Sequence, residues 1–465
     1  MSARSIAVAV ALGVGALRPS PAPAQGLDPH QSLAHDIFEE LIEINTTDSV
    51  GSTTQAAEAM AARLRTAGFP EGDVKVLGPH ERKGNLVVRL RGTGARRPVL
   101  LLAHLDVVEA RREDWSVDPF KLLEKDGFYY GRGTTDDKAM AAIWIANLIR
   151  YRQEGREPER DIVVALTADE EGGNFNGVQW LLANHRDLIE ADYALNEGGG
   201  GAIKNGKYVA NRVQASEKVY QDFTLEVKNP GGHSSLPVRD NAIYHLAEGL
   251  ARLAAFDFPV KLNEVTRGYF ERMSAIEPEP TASAMKGVLK RPRDPAAVEV
   301  LARTPYYNAM MRTTCVATML QGGHALNALP QTARANVNCR MLPGDSSDET
   351  RTTLVRVLAD DKISVTPLAE AKPSAPSPLR PDVIGPIERV TEQMWPGVPV
   401  IPVMGTGATD GLYLRRAGIP TYGVDGIFED VDDTRAHGRD ERIGVKQFYD
   451  GLEFLYRLVK AVSAP

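Results

Sequence analysis

Four segments of this 465-residue sequence carry metal-binding or proton-moving side chains immediately after a short apolar run. His104-Leu105-Asp106 follows the run at 99–103. An imidazole there could bind a metal, with Asp106 holding the far side of the ring and fixing its tautomer. Gly131-Arg132-Gly133-Thr134-Thr135-Asp136-Asp137-Lys138 leads into a helical pattern, and one of its two aspartates fits a helix N-cap. Asp169-Glu170-Glu171 follows the run at 161–167, and Glu197 follows 193–195. Three consecutive carboxylates repel one another, and a divalent cation would remove that penalty. Polar groups at the C-terminal edge of buried strands stand where α/β sheets place their ligands. Each cluster alone is a weak signal; four at successive strand ends form a constellation. Late in the chain Ala436-His437-Gly438-Arg439-Asp440-Glu441 is polar and isolated, and spacing does not rank His437 above His233 or His324 as a further ligand.

The elements that must hold these residues can be read from the hydrophobic pattern. Residues 32–44 and 54–67 carry apolar side chains at helical spacing, the second closed by Gly68. Asn85–Leu90, 99–103, 161–167 and 193–195 read as strands and 137–152 as a helix between two of them, the rhythm of an α/β layer fold. Near Val213 the character changes. Residues 220–228 alternate like a half-exposed strand, 241–255 form a helix, and 257–312 are polar and Pro-containing. A hairpin of 313–321 and 332–341, a helix at 348–358 and a strand at 362–367 follow. From Pro381 a helix, a strand at 398–403, a Gly-rich turn and another helix return to the earlier style. The simplest organisation is one α/β domain, 27–213 and 373–465, with a two-layer α+β module at 214–372 inserted into it.

Hydrophobic residues make up 43% and charged residues 25% of the chain, a balance that excludes disorder, collagen and a polytopic membrane protein. The net charge of −7 gives no global basic field, so nucleic acid is not an expected partner. Arg4, the uncharged run 5–17 and Ala22-Pro23-Ala24 have the form of a cleavable export signal over 1–24. That run is too short to remain as a span of ~30 Å of hydrocarbon, so no stable membrane span is expected. A periplasmic or secreted location is the expectation, and with it an oxidising compartment. Two cysteines are too few for a disulfide scaffold. Cys315 and Cys339 lie equally far from residue 327, so the hairpin sets them opposite one another, as a cross-strand disulfide or as two buried thiols.

Nine segments, in order, resemble the motifs of the co-catalytic zinc exopeptidase/deacylase family, which includes glutamate carboxypeptidase, dipeptidases and aminoacylase. They are LLAHLDVV (101–108), YGRGTTDDK (130–138), ADEEGG (168–173), NEGG (196–199), GGHSSLP (231–237), GGHALNALP (322–330), CRMLPG (339–344), GATDG (407–411) and AHGRDE (436–441). The resemblance runs from about Ser32 to Val462 and implies a three-layer α/β zinc-exopeptidase catalytic domain with an inserted two-layer α+β lid (dimerisation) domain. It makes Asp136 the carboxylate bridging two zinc ions. His104 and Glu197 complete one site, and Glu171 and His437 the other, with Co²⁺ or Mn²⁺ as substitutes. Glu170 matches the general base and Asp106 the partner of His104. His233 matches the lid histidine that stabilises the oxyanion, in many members from the neighbouring subunit of a homodimer. Asn327 and Arg340 match groups that hold a substrate carboxylate.

The implied reaction is exopeptidase hydrolysis of a small peptide, with N-acyl-amino-acid deacylation as the alternative; export favours the peptide. Two features depart from the family's pattern. Asp137 stands where many members carry Met, and 257–312 is longer than a minimal lid. A serine hydrolase built on Ser234 or Ser235 with His233 fails, because no nucleophile elbow surrounds them.

Overall fold

Near-continuous Val, Leu and Ala runs suit strands buried on both faces. In the computed structural model, which describes residues 26–290 and 294–464, four such strands lie side by side and parallel. Their order is Arg160–Thr167, Arg96–His104, Tyr193–Asn196 and Thr421–Gly423. They form the centre of a sheet of ten strands among the described residues. Asn85–Leu90 and Val74–Leu77 extend it antiparallel on one side; Lys207–Glu217, Gly200–Lys204, Phe428–Asp430 and Val400–Gly405 extend it on the other. Alternation sends Val99, Leu101 and Ala103 to one face, against the helices Pro29–Glu43, Thr53–Thr66, Lys138–Gln153, Pro381–Met394 and Val445–Val462. Leu100 and Leu102 go to the other face, against Gly177–Asn184 and Gly411–Arg416. The result is three layers. Because the central strands are parallel, His104, Thr167 and Asn196 end on one edge. The segment read as an export signal lies outside the described residues.

The inserted module carries a four-stranded antiparallel sheet ordered Thr314–Gly322, Thr332–Met341, Val219–Lys228, Ile363–Pro367. Phe223, Leu225, Val337 and Cys339 face the helices Ala242–Ala254 and Ser347–Leu358 in a core of their own. Cys315 and Cys339 are register partners joined by a disulfide, with their Cα atoms 4.1 Å apart.

Two features of the module differ from the sequence reading. The boundary drawn near Val213 falls inside a strand: Lys207–Glu217 stays in the large sheet, and the small sheet begins at Val219. The polar stretch 257–312 contains four helices, Glu264–Met273, Thr281–Lys290, Pro295–Ala302 and Pro305–Met311. Their buried Phe270, Met285, Leu301 and Met310 share a core with Ile401, Val403 and Met404 of the large sheet. These helices are short, and each has a narrow apolar stripe. Pro295 and Pro305 open two of them at the first helical position, where a missing N–H costs nothing, so prolines that read as loop punctuation are helix starts.

Candidate metal centre

His104 closes its strand fully buried, and its Nδ1 donates to the main-chain oxygen of Asp106 at 2.9 Å. That bond leaves Nε2 as the free ligand atom. Nε2 stands 2.9 Å from Asp136 Oδ1 and 3.9 Å from Glu197 Oε1. The other oxygen of Asp136 is 3.0 Å from His437 Nε2, which is in turn 2.9 Å from Glu171 Oε1. The side chains therefore run Glu197, His104, Asp136, His437, Glu171, with Asp136 in the middle. Ligands about 2.0 Å from a tetrahedral zinc stand about 3.3 Å from each other, so these spacings fit metal coordination. Glu171 Oε1 is buried and, despite its approach to His437, makes no hydrogen bond. Two donors that near without bonding each other fit a common third atom. His104, Asp136 and Glu171 converge in one group, and His104, Glu170 and Glu197 in a second.

The electrostatics match a site built for cations. Burial, and next the Glu197 charge, push the Glu170 carboxyl well above its ordinary range. Burial and the Asp136 charge push Glu171 up to about 7. Glu197 is raised well above its usual range, chiefly by burial. Burial also acts to raise Asp136, but bonds from His104 and His437 outweigh it and hold that carboxyl down. The Asp136 bond, ahead of the opposing burial, lifts His437 to about 9. Acids crowded until they resist ionisation are the situation a divalent ion relieves.

The loops are held by carboxylates behind the cluster, of which spacing alone did not single out Glu441 or Asp410. Glu441 is fully buried, and its carboxylate accepts from Arg132 Nη1, Gly133 N, Thr135 N, Thr135 Oγ1 and Asp136 N at 2.7–3.2 Å. It fixes the turn that presents Asp136. The Asp106 carboxylate lies 3.7 Å from His104 Nδ1 and accepts instead from Glu170 N and Glu171 N at 3.1 and 3.0 Å. Asp106 thus holds the imidazole through its carbonyl and the 170–171 loop through its side chain. Asp410 accepts from Thr167 Oγ1 and Asn176 Nδ2, tying the end of the 160–167 strand to the loop beyond. Within that loop Asp169 adopts a left-handed φ of 56°, and a Cβ at Gly173 would come within 2.3 Å of its Oδ2. The second glycine after the acidic triplet therefore leaves room for the Asp169 carboxylate. Asp137 is buried beside Asp136, with one side-chain oxygen lacking a hydrogen-bond partner.

The lid residues lie apart from this cluster. His233 is exposed on a two-residue ladder with Ala328, and its Nδ1 accepts from Ser235 N at 3.2 Å. Asn327 adjoins it, its carbonyl accepting from Ser234 N. Arg340 lies on the small sheet with its guanidinium 4.6 Å above the Tyr220 ring. Among the described residues none of the three is hydrogen-bonded or ion-paired to the histidine–carboxylate cluster.

Residues 100–461 match the model of peptidase family M20/M25/M40. The chain is 30% identical over 377 residues to the N-fatty-acyl-amino acid synthase/hydrolase PM20D1 of Homo sapiens, covering 78% of this chain and 74% of that protein. It is 29% identical over 375 residues to the probable carboxypeptidase S-like 2 of Dictyostelium discoideum, covering 78% and 71%. The fold is similar to that of the M20 family metallo-carboxypeptidase Sso-CP2 from Sulfolobus solfataricus, with a TM-score of 0.67 and 16% identity over 94% of this chain and 100% of that one. Human carnosine dipeptidase 1 is similar as well, with a TM-score of 0.62 and 16% identity over 93% and 97%. With the match running from the His104 strand past His437, the chain belongs to peptidase family M20/M25/M40 and is a hydrolase of metallopeptidase type.

Proposed function

We propose that the protein is a di-metal exopeptidase hydrolysing an amide bond next to a free carboxylate. In this reading His104 and Glu197 hold one ion, Glu171 and His437 the other, and Asp136 lies between them. The observation that carries it is the unbroken order of close approaches from Glu197 through Asp136 to Glu171 along one sheet edge. When bound, the ions, zinc first, with Co²⁺ or Mn²⁺ as substitutes, would supply Lewis-acid polarisation of the scissile carbonyl and a lowered pKa for an attacking water. Glu170, its N–H tied to Asp106, takes the proton of the attacking water and returns it to the leaving amine. His233 meets the developing oxyanion from the lid, and Arg340 and Asn327 hold the substrate carboxylate.

The catalytic unit in this reading is 27–217 with 373–465, and the module inserted between them carries the sheet that forms the lid. A homodimer through the lid accounts for the exposed Leu236, Ile243, Tyr244, Leu320 and Leu326 around its tip and edge strand. Residues 1–24 direct export, so the enzyme works in the periplasm or outside the cell; a mature N-terminus near Gly26 is the expected product of sequencing the exported protein. Likeness to PM20D1, whose name states an N-fatty-acyl-amino acid, favours N-acyl-amino-acid hydrolysis as a second reading. Both reactions release an amino acid bearing a free carboxylate.

The test is a panel of free dipeptides, N-blocked dipeptides and N-acyl amino acids, run with Zn²⁺ and with Glu170→Gln as control. Peptide cleavage that the control loses supports the exopeptidase. Turnover of the N-acyl compounds alone selects the second reading, and turnover of none rejects both.

A further inference from the structure

The helices Ala242–Ala254 and Ser347–Leu358 cover one face of the lid sheet and leave the other open. Period-two alternation puts Tyr220, Asp222 and Thr224 on that open face beside Arg334, Asn336, Asn338 and Arg340. Together they floor a cavity of about 670 Å³. Two apolar side chains border it: Met319, paired with Asn336, and Leu368, beside Asp222, are 60% and 66% exposed. Isolated exposed apolar residues are ordinary, but two beside one polar floor make a pocket with two chemistries.

The floor has a fixed charge pattern. Asp222 Oδ1 accepts from Asn336 Nδ2 and Asn338 Nδ2, both at 2.9 Å, and its Oδ2 accepts from the Tyr220 hydroxyl. Burial acts to raise this carboxyl, but those bonds and the Arg340 charge outweigh it and hold it below its ordinary range. Arg340 pairs in register with Tyr220 and stacks on its ring, yet among the described residues its guanidinium makes no hydrogen bond or ion pair. A fork of five N–H donors is left for a ligand carboxylate. This end of the pocket is joined to the catalytic unit through the chain. Tyr220 follows Glu217 by three residues, and Glu217 Oε2 accepts from Thr409 N beside Asp410.

With the substrate carboxylate on Arg340 as in the reading above, we propose that the side chain of the amine-side residue lies on this open face against Met319 and Leu368, and that Asp222 makes the site select apolar side chains and reject acidic ones. The assignment rests on the amide-hydrolase reading above and adds to it the class of residue released. A carboxylate side chain placed here meets a like charge that neighbouring donors keep ionised, whereas a Leu or Phe side chain covers exposed apolar surface.

The experiment holds the acyl group constant and varies the amine-side residue among Leu, Phe, Ala and Glu, comparing kcat/KM. For the wild type, Leu and Phe are expected to exceed Ala by about tenfold or more, the scale on which an apolar pocket discriminates, and to exceed Glu by at least as much. Asp222→Asn keeps the shape of the floor and is expected to raise the Glu-to-Leu ratio by about tenfold, mainly through KM. Met319→Ser combined with Leu368→Ser, both at exposed positions, is expected to bring the Leu-to-Ala ratio close to one. Ratios that neither variant moves overturn the assignment while leaving the hydrolase reading intact. Variants that split a dimer without moving the ratios assign the wall to subunit contact and overturn it as well. Hydrolysis of no panel member overturns the hydrolase reading, and this inference with it.

Discussion

Asp136 and His233 are held in opposite ways. Two imidazoles approach the oxygens of Asp136, and its own N–H is bonded to Glu441, a carboxylate that also collects four donors from the same turn. His233 stands exposed on a two-residue ladder, and among the described residues only Ser235 bonds to its ring. The contrast extends to their surroundings. The sheet edge under Asp136 is the end of a buried parallel core, whereas the ribbon under His233 projects from a module with a separate core. Charges that stabilise a transition state work best when they need no reorganisation, and a metal-ligand set needs that rigidity most. A group that meets substrate only after binding must be free to arrive, and few local bonds allow it.

The sharpest way to break this contrast is at its rigid end. Asp136→Ala removes the group to which both histidines turn, and metal analysis of the purified variant is expected to find the bound ion lost along with activity. Glu170→Gln should separate chemistry from metal retention, because Glu170 follows the ligand order rather than joining it. Removing a general base lowers turnover by about 10² to 10⁴. Near-normal turnover in Glu170→Gln would remove Glu170 from its role.

Next in size is Glu441→Gln. The amide offers one oxygen where the carboxylate offers two, and it points a donor at a turn that presents only donors. Outer partners of metal ligands commonly affect affinity by about 10- to 100-fold, and a loss of that order is expected in a competitive metal titration. A variant that binds metal as the wild type does, but melts lower, would make Glu441 a fold residue only.

How far these groups could be read from the sequence follows the same division. The central strands were plain because residues buried on both faces leave continuous apolar runs, and the carboxylates after them stood out against that background. Glu441 did not, because its partners are the Arg132 guanidinium, 309 residues away in sequence, and main-chain N–H groups 305 to 308 residues away. The same holds for Asp410, 243 residues from Thr167. His437 could be preferred over His233 only by resemblance, since nothing in its spacing records that it folds back onto Asp136. Thr421–Gly423 and Phe428–Asp430, three residues each, are too short to carry a period. Two of the helices across 264–311 were hidden by prolines at their first positions. The cysteine pair was readable because a hairpin converts sequence symmetry into spatial register.

The lid end of the comparison predicts smaller effects, on stability rather than on metal. The disulfide joins residues 24 apart, and replacing both cysteines with serine is expected to lower unfolding free energy by about 2–4 kcal/mol while metal affinity is kept. Two free thiols in unfolded wild-type protein would remove the premise. The smallest effect concerns His245, whose Nδ1 meets Asp360 at 2.6 Å and whose Nε2 meets Asp240 at 3.0 Å, with Lys362 also bonded to Asp240. The Asp360 bond, ahead of the opposing burial, raises the His245 pKa above its usual 6.5. A folded-state pKa above the unfolded one stabilises fully below about pH 6.5 and is lost as pH rises through the raised value. The pair is largely solvent-screened, so the contribution is below about 1 kcal/mol. Denaturation of wild type and His245→Gln at pH 6 and pH 9 should show the wild-type advantage at pH 6 shrinking at pH 9. An advantage that grew with pH would mean that the neutral imidazole is the form the lid prefers.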